Sequence, residues 1–378
     1  MYKCFATISR GLENLLVNEL QTLGANNVNP VKAGALFDAN LDTIMQINLK
    51  SRVASRILIQ VAFGNYQNEN DIYDLTQTVK WDNWFSHYNK IKVSTSAINS
   101  PLKSLEFITL KVKDSICDYF MAKYNSRPDV NKYSPDMRIY NFLTNNTATI
   151  YLDTSGEALF KRGYRQNKLE APIKENLAAA LIQLTNWNWQ TPFYDPMCGS
   201  GTIAIEAVSI GLNIAPGLSR EFAFEKFIHF EKNTWQKQKN LAKNAIDYSR
   251  KIQIYASDIN NNAIVIAKDN AYSMKFNNYI KFESGDFINK KAPATNGILL
   301  TNPPYGIRLE EQHHLAEFYP KLATHLKNNY ANWLCYFFTA DFRLPKLMRL
   351  KPSLKTPLFN GALECRLFEF KMVKGSNR

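Results

Sequence analysis

Asn302-Pro303-Pro304-Tyr305-Gly306 follows the apolar run Gly297-Ile298-Leu299-Leu300-Thr301. Its residue types suit chemistry on a planar exocyclic nitrogen. Such a nitrogen is a poor nucleophile, because its lone pair is delocalised into a ring or carbonyl. Two acceptors aimed at its N–H groups fix it in place and favour the pyramidal geometry that exposes the lone pair. The Asn302 side-chain oxygen and the Pro303 carbonyl are the candidates. Pro303 and Pro304 stiffen the backbone and set that carbonyl's direction, and Tyr305 offers a ring on which a base can stack. Alone, the pentad is equally a strand ending in a Pro-Pro turn.

A second stretch changes that balance. Asp195-Pro196-Met197-Cys198-Gly199-Ser200-Gly201-Thr202 ends an apolar-aromatic run and leads into the helix-like residues 203–208. A strand, a glycine turn and a helix bring backbone N–H groups close to a ligand. The lysine of a phosphate-cradling loop is missing and an acid precedes the glycines, which argues for a cationic ligand. The sulfonium and amino groups of S-adenosyl-L-methionine fit, with Asp195, Pro196, Cys198, Gly199, Gly201 and Thr202 as the candidate cradle.

Two further acids follow strand-like runs. Asp258 ends residues 252–257, where a carboxylate can accept both ribose hydroxyls. Asp286 follows residues 279–285, placed to accept from an adenine amino group, with Ile259 and Phe287 sandwiching the ring. Each acid alone is equally a helix cap or turn residue. The order of glycine turn, ribose acid, adenine acid and Asn-Pro-Pro-Tyr, each at a strand end, is far less easily produced by chance.

This series resembles the class I S-adenosylmethionine-dependent methyltransferases. Residues 159–165 (Leu-Phe-Lys-Arg-Gly-Tyr-Arg), residues 171–180 and residues 213–218 are similar to segments of the THUMP-domain guanine-N2 RNA methyltransferases, as is Phe359-Asn360-Gly361-Ala362-Leu363-Glu364-Cys365-Arg366-Leu367. The amino-terminal half of the bifunctional large-subunit rRNA methyltransferases (RlmL) and their stand-alone relatives are the members resembled most. The resemblance implies an α/β, Rossmann-like methyltransferase domain over residues 171–378. Before it come a ferredoxin-like domain (1–65), an RNA-binding THUMP domain (66–154) and a linker (155–170). It further implies that Pro172 and Asn176 contribute to the cofactor site and that Lys161, Arg162, Tyr164 and Arg165 meet RNA. With one methyltransferase domain, the second activity fused in bifunctional members is expected to be absent.

Composition is compatible with this. The chain has 378 residues, 45% of them hydrophobic, and a formal net charge of +13, which suits a polyanionic partner. The charge is uneven: residues 1–150 carry 16 basic and 13 acidic side chains, residues 151–378 carry 30 and 20. Basic concentrations fall at 161–174, 232–251 and 343–355, where a solvated helix face is the plain alternative for each lysine. Cys4, Cys117, Cys198, Cys335 and Cys365 are scattered, supporting neither a disulfide framework nor a metal site and suiting a reducing cytoplasm. His313, His314 and His325 are expected to be surface or satisfied histidines. Glu13 and Glu19 interrupt the first helix, so no secretory signal is expected, and the uncharged stretch 176–194 reads as a buried helix and strand instead of a membrane span.

The first 65 residues read as βαββαβ, a ferredoxin-like order, with a last strand at 56–63 buried on both faces. Short helices at 72–79 and 81–86, a strand at 90–96, a helix at 105–124 and a hairpin of 137–143 with 148–152 follow. The methyltransferase domain should hold a mostly parallel sheet with its ligand at the carboxyl strand ends. Asp258 comes 57 positions after Gly201, where a minimal unit needs roughly 30. The excess, rich in Phe222, Phe224, Phe227, Phe230 and Trp235, is expected to form a helical layer on that sheet.

The expected reaction is in-line transfer of the sulfonium methyl to the exocyclic N2 of a guanine in RNA, large-subunit rRNA being favoured and tRNA the alternative. It requires no metal and no covalent enzyme intermediate. Asn-Pro-Pro-Tyr also serves enzymes that methylate DNA adenine or protein glutamine, and a non-catalytic RNA-binding or assembly factor is the rival from another class. The extra amino-terminal ~150 residues of ferredoxin-like and RNA-binding order and the intact motifs weigh against these. Oligomeric state has no signature in the sequence.

Overall fold

The structure is a computed structural model describing residues 1–165, 173–305 and 309–374, residues 309–314 by their backbone alone. Pro172 and Gly306 lie outside the described residues. The chain forms two compact units: Met1–Ile8, Leu16–Leu159 and Ser219–Asn240 make the first, and Ser9–Leu15, Phe160–Leu218 and Leu241–Arg378 the second.

The first unit opens with β1 (Tyr2–Thr7), α1 (Glu13–Thr22), β2 (Asn26–Val31), β3 (Gly34–Ala39), α2 (Leu41–Lys50) and β4 (Arg56–Asn65). It continues with α3 (Glu69–Gln77), β5 (Ile91–Ala97), α4 (Leu105–Tyr124), β6 (Met137–Leu143) and β7 (Thr147–Asp153). Side-chain caps start the helices: Asn40 accepts from the Thr43 N–H, Asn68 and Asp71 form a capping box, and Ser104 accepts from Phe107, each satisfying N–H groups that a helix start leaves bare. The strands join in one sheet, β2-β3-β1-β4-β7-β6-β5, with β5 and β6 its parallel pair. β4 joins the two halves. Ile57, Leu58 and Ile59 are buried, as expected, but the strand emerges beyond Gln60, where a register shift against β7 bends it.

The expected helical layer at 211–250 is corrected by the structure. Residues 219–240 pack in the first unit, not on the methyltransferase sheet. The Phe224 N–H donates to the Thr154 carbonyl and Arg220 to that of Ala158. Phe222, Phe224 and Trp235 stack and cross at ring distances of 5.0–5.6 Å. Truncating Trp235, 2% exposed, should cost about 3–5 kcal/mol. Aromatic content signalled burial here; it carried no information on which sheet would receive it.

The second unit holds α5 (Glu175–Leu184), β8 (Phe193–Asp195), α6 (Thr202–Gly211), the end of α7 (Lys232–Asn244), β9 (Ile254–Asp258), α8 (Asn261–Ser273), β10 (Ile280–Ser284) and β11 (Gly297–Thr301). Then come α9 (Leu309–Asn329), β12 (Trp333–Thr339), α10 (Leu344–Met348), β13 (Leu354–Asn360) and β14 (Leu363–Lys371). The sheet runs β10-β9-β8-β11-β12-β14-β13. Its first five strands are parallel, and β14 and β13 antiparallel. Every residue of β11 is buried, as a strand covered on both faces requires. His325, 7% exposed, packs against Phe287 and Tyr330, a core position and not a surface one. Among the described residues no helix is long and apolar enough to cross a membrane.

Candidate active site

The parallel order brings the carboxyl ends of β8, β9, β10 and β11 to one edge, the place where open α/β sheets bind ligands. Asp195, Asp258 and Asn302 follow or end three of these strands, with β8 between β9 and β11.

Asp195 is 1% exposed. It accepts the Thr301 hydroxyl at 2.8 Å and the Met197 N–H at 3.3 Å. Burial pushes its carboxyl up to about 7, with the Asp258 charge adding to the rise and the two hydrogen bonds opposing it. A buried carboxylate so placed favours a cation. Asp258 binds the turn itself, accepting the Gly199 N–H at 2.8 Å and the Asn260 N–H at 2.9 Å. The Cys198 N–H donates to the Ser257 carbonyl and Asn270 to that of Ser200. Tyr194 and Ser257 share a 2.6 Å hydrogen bond, and Ser257 reaches the Pro196 carbonyl. Thr202 opens α6, and burial raises the Cys198 thiol well above its ordinary range.

Both glycines of the turn have positive φ, +52° at Gly199 and +80° at Gly201, a conformation that costs other residues about 1–2 kcal/mol. They differ in surroundings. A Cβ on Gly201 would lie 3.0 Å from the Ala267 Cβ, so this glycine lets α8 approach; one on Gly199 would meet nothing within 4 Å. Open space over a positive-φ glycine, beside a buried acid, fits a cationic nucleotide-like ligand.

Asp286 accepts the Ile288 N–H and caps a short turn. Ile259 is 71% exposed, free to cover a ligand, whereas Phe287 is 3% exposed. Its ring contacts Tyr194, His325 and Tyr330 in the core. The expected sandwich of Ile259 with Phe287 is therefore corrected: an aromatic after a strand-end acid can turn inward as readily as toward the site.

On the other side of β11, Asn302 and Tyr305 are partly buried, Pro303 is buried and Pro304 exposed. The Tyr305 hydroxyl donates to the Asn302 Oδ1 at 2.6 Å. Burial raises the phenol well above its ordinary value, so it remains a donor. The acceptor oxygen read from the sequence is thus present, with one of its two lone pairs in use. The Asn360 amide lies 3.5 Å from the Tyr305 hydroxyl, and Phe338 meets the Tyr305 ring edge-on.

The segment expected to meet RNA is corrected most. Arg162 and Tyr164 are 5% and 2% exposed. Arg162 pairs with Glu206 at 3.7 Å and the Tyr164 hydroxyl donates to the same carboxylate. Arg165 donates to the Ile173 carbonyl and the Thr202 hydroxyl and pairs with Glu175 at 3.5 Å. Their charges are answered inside the fold, so they brace the glycine turn's helix instead of a polyanion. Lys161 alone is exposed. Asn176 is 2% exposed in the first turn of α5; Pro172 is outside the described residues.

Thr301, Ser257 and Asn360 were missed by sequence reasoning. Thr301 and Ser257 had a local signal: Thr301 is the lone polar residue ending an apolar strand, and Ser257, like Thr301, stands immediately before a candidate residue. Asn360 had none, since 55 positions separate it from Tyr305.

Fold and site together define a class I methyltransferase. Residues 162–369 match the RMKL-like methyltransferase domain, residues 66–153 the THUMP domain and residues 3–58 the RlmL ferredoxin-like domain. The chain belongs to the RMKL-like methyltransferase family. It is 37% identical, over its whole length, to ribosomal RNA large subunit methyltransferase K/L of Shewanella amazonensis, of which it spans 54%. The chain therefore covers about half the length of that relative. It is 33% identical to slr0064 of Synechocystis sp., provisionally named an RNA methyltransferase, with 97% of this chain and 96% of that one covered. The crystal structure of SMU.472, provisionally named a methyltransferase and complexed with SAH, superposes with a TM-score of 0.91 at 30% identity, covering 99% of this chain and 98% of that one.

Proposed function

We propose that this protein transfers a methyl group from S-adenosyl-L-methionine to the exocyclic N2 of a guanine in RNA, with large-subunit rRNA as substrate. One observation carries the reading: the 2.8 Å hydrogen bond from Thr301 to Asp195. It ties the residue before Asn302 to the acid at the glycine turn, which supports cofactor and target positions on neighbouring strand ends. Bound there, S-adenosyl-L-methionine supplies a methyl already activated on a sulfonium with a neutral leaving group. Asp195 answers the ligand's positive charge, Gly199 leaves room for it, Asp258 accepts ribose hydroxyls, and Asp286 with Ile259 serves the adenine.

The remaining work is alignment of the target nitrogen and electrostatic support around it. Asn302 Oδ1 and the Pro303 carbonyl accept its two N–H groups. Asn302 Oδ1 keeps a second lone pair for the target N–H while it accepts from Tyr305, and the Tyr305 ring is available to stack on the base. Extruding a paired base costs roughly a few kcal/mol, which stacking helps to offset. No strong base is required for attack, since the amine becomes far more acidic once methylated.

The names of relatives, together with a THUMP domain and net charge of +13, favour RNA over DNA or protein as the acceptor. The deciding experiment is mass-spectrometric nucleoside analysis of rRNA and tRNA from cells with and without the protein. Loss of N2-methylguanosine from 23S rRNA is expected. Its loss from tRNA alone would transfer the activity to that substrate, and unchanged nucleosides in both would remove the reading.

A further inference from the structure

The β13–β14 hairpin and its Phe359–Leu367 sequence remain without a role in the chemistry above, yet topology carries them to the same edge. β14 runs antiparallel to β12, with Arg366 opposite Thr339, the last residue of that strand. The start of β14, and the turn joining it to β13, therefore stand with the carboxyl ends of the parallel strands. Asn360 reaches Tyr305 from this turn, so the hairpin forms a wall of the target side.

Just outside that wall, Phe342 is 40% exposed, and the Arg366 guanidinium lies 4.2 Å over its ring. Arg366 is only loosely answered by acid: its nearest carboxylate, Glu364, is 3.9 Å away, and its buried Nε has no hydrogen-bond partner. Arg343, the residue after Phe342, is bound instead by two 2.9 Å bonds to the buried Asp341, which answers its charge. Residues 361–364 at the turn are exposed. A flat guanidinium-on-ring stack with little acid against it is what a single-stranded nucleic acid recognises: a π-face for a base and positive charge for its phosphates. A polyanion without bases would need only the charge.

Resting on the reading of this site as acting on RNA, we propose that Phe342 and Arg366 bind an unpaired nucleotide flanking the target base, holding the strand while that base enters beside Tyr305. Arg366 meets base and phosphate, and Phe342 keeps the Arg366 plane outward.

The test measures fluorescence anisotropy of labelled oligo(U) on the full-length chain, with heparin as a base-free polyanion. Phe342→Ala is expected to raise the oligo(U) Kd about fivefold or more, the range of a lost stacking contact, with heparin binding unchanged. Arg366→Gln should weaken both, and Arg366→Lys should restore heparin more than oligo(U). Thermal melting and S-adenosyl-L-methionine calorimetry verify folding, and Phe342→Leu replaces Phe342→Ala if that variant does not fold, since it keeps apolar volume without a π-face. Unchanged oligo(U) affinity in folded Phe342 and Arg366 variants overturns the inference, as does equal loss of heparin and oligo(U) in the Phe342 variant. Methyl transfer to protein-free rRNA is measured separately. Absent transfer by the wild type with Phe342-dependent oligo(U) binding sinks the activity and keeps the surface; normal transfer with indifferent variants does the reverse.

Discussion

The two sides of β11 differ in how their polar groups are used. Toward β8 and β9, Asp195 and Asp258 bind backbone N–H groups and the Thr301 hydroxyl, and their bonds hold the glycine turn in shape while leaving space above Gly199. Toward β12 and β14, Asn302 and Tyr305 bind each other, and the residues around them come from separate segments near 338 and 360. On the proposed reading, the first side would receive a small molecule of constant shape, and the second, where Tyr305 already uses one lone pair of Asn302, a large substrate that must be unfolded locally before it fits. Cofactor binding should then depend on preorganised acids, and methyl transfer on the arrangement of Asn302 and Tyr305.

The strongest way to break this comparison is Asn302→Ala. Single-turnover transfer is expected to fall about 10²–10³-fold, the scale for losing one preorganised polar group at a reacting centre, with S-adenosyl-L-methionine affinity intact by calorimetry. Near-normal transfer would remove Asn302 from the chemistry. Asp258→Ala should do the opposite, weakening cofactor affinity by about 1–3 kcal/mol while saturating cofactor restores turnover; an unchanged Kd in the folded variant would end the ribose assignment.

A third effect follows from Asp195. Its ligand-free carboxyl titrates at about 7, above the ordinary 3.8, so the folded chain holds this proton more tightly than the unfolded one. Its contribution to stability is fully present below about pH 4 and is lost as pH rises toward 7. A cationic ligand favours the ionised form, so affinity should rise with pH to a plateau above 7. At pH 6 it should be about tenfold weaker than that plateau, one pH unit below the titration point. A flat calorimetric profile from pH 5.5 to 8.5 would show that the acid does not face the ligand's charge. The smallest effect sharpens the other side. Tyr305→Phe keeps the ring and frees Asn302, so the KM for RNA should improve, by at most about fivefold, the worth of one hydrogen bond near 1 kcal/mol. A worsened KM would mean that the phenol serves the bound state.

The same division governs how much could be read from the residues. The glycine turn, Asp258 and Asn302 are local signals, each a short pattern at the end of an apolar run, and the fold places them where those runs end. α4 begins and ends where the sequence pattern put it, at 105–124. What failed were statements about distant partners. Arg162, Tyr164 and Arg165 look like a basic RNA-binding segment until Glu175 and Glu206 are known to lie against them. Phe287 looks available to adenine until Tyr330 and His325 fill its surroundings. Strand β13 was hidden by Lys355 and Pro357, which suit an edge strand with one exposed side.

Residues 219–240 bear on how the protein is made. They complete the first unit, yet they are synthesised only after the opening of the second, about 80 residues beyond Leu159. At about 5–20 residues per second the ribosome needs roughly 4–16 s to supply them. Through that interval the nascent amino-terminal sheet lacks the Phe222, Phe224 and Trp235 layer that belongs to it. Its folding cannot finish before the glycine turn has already left the ribosome, so neither half of this chain is born ahead of the other.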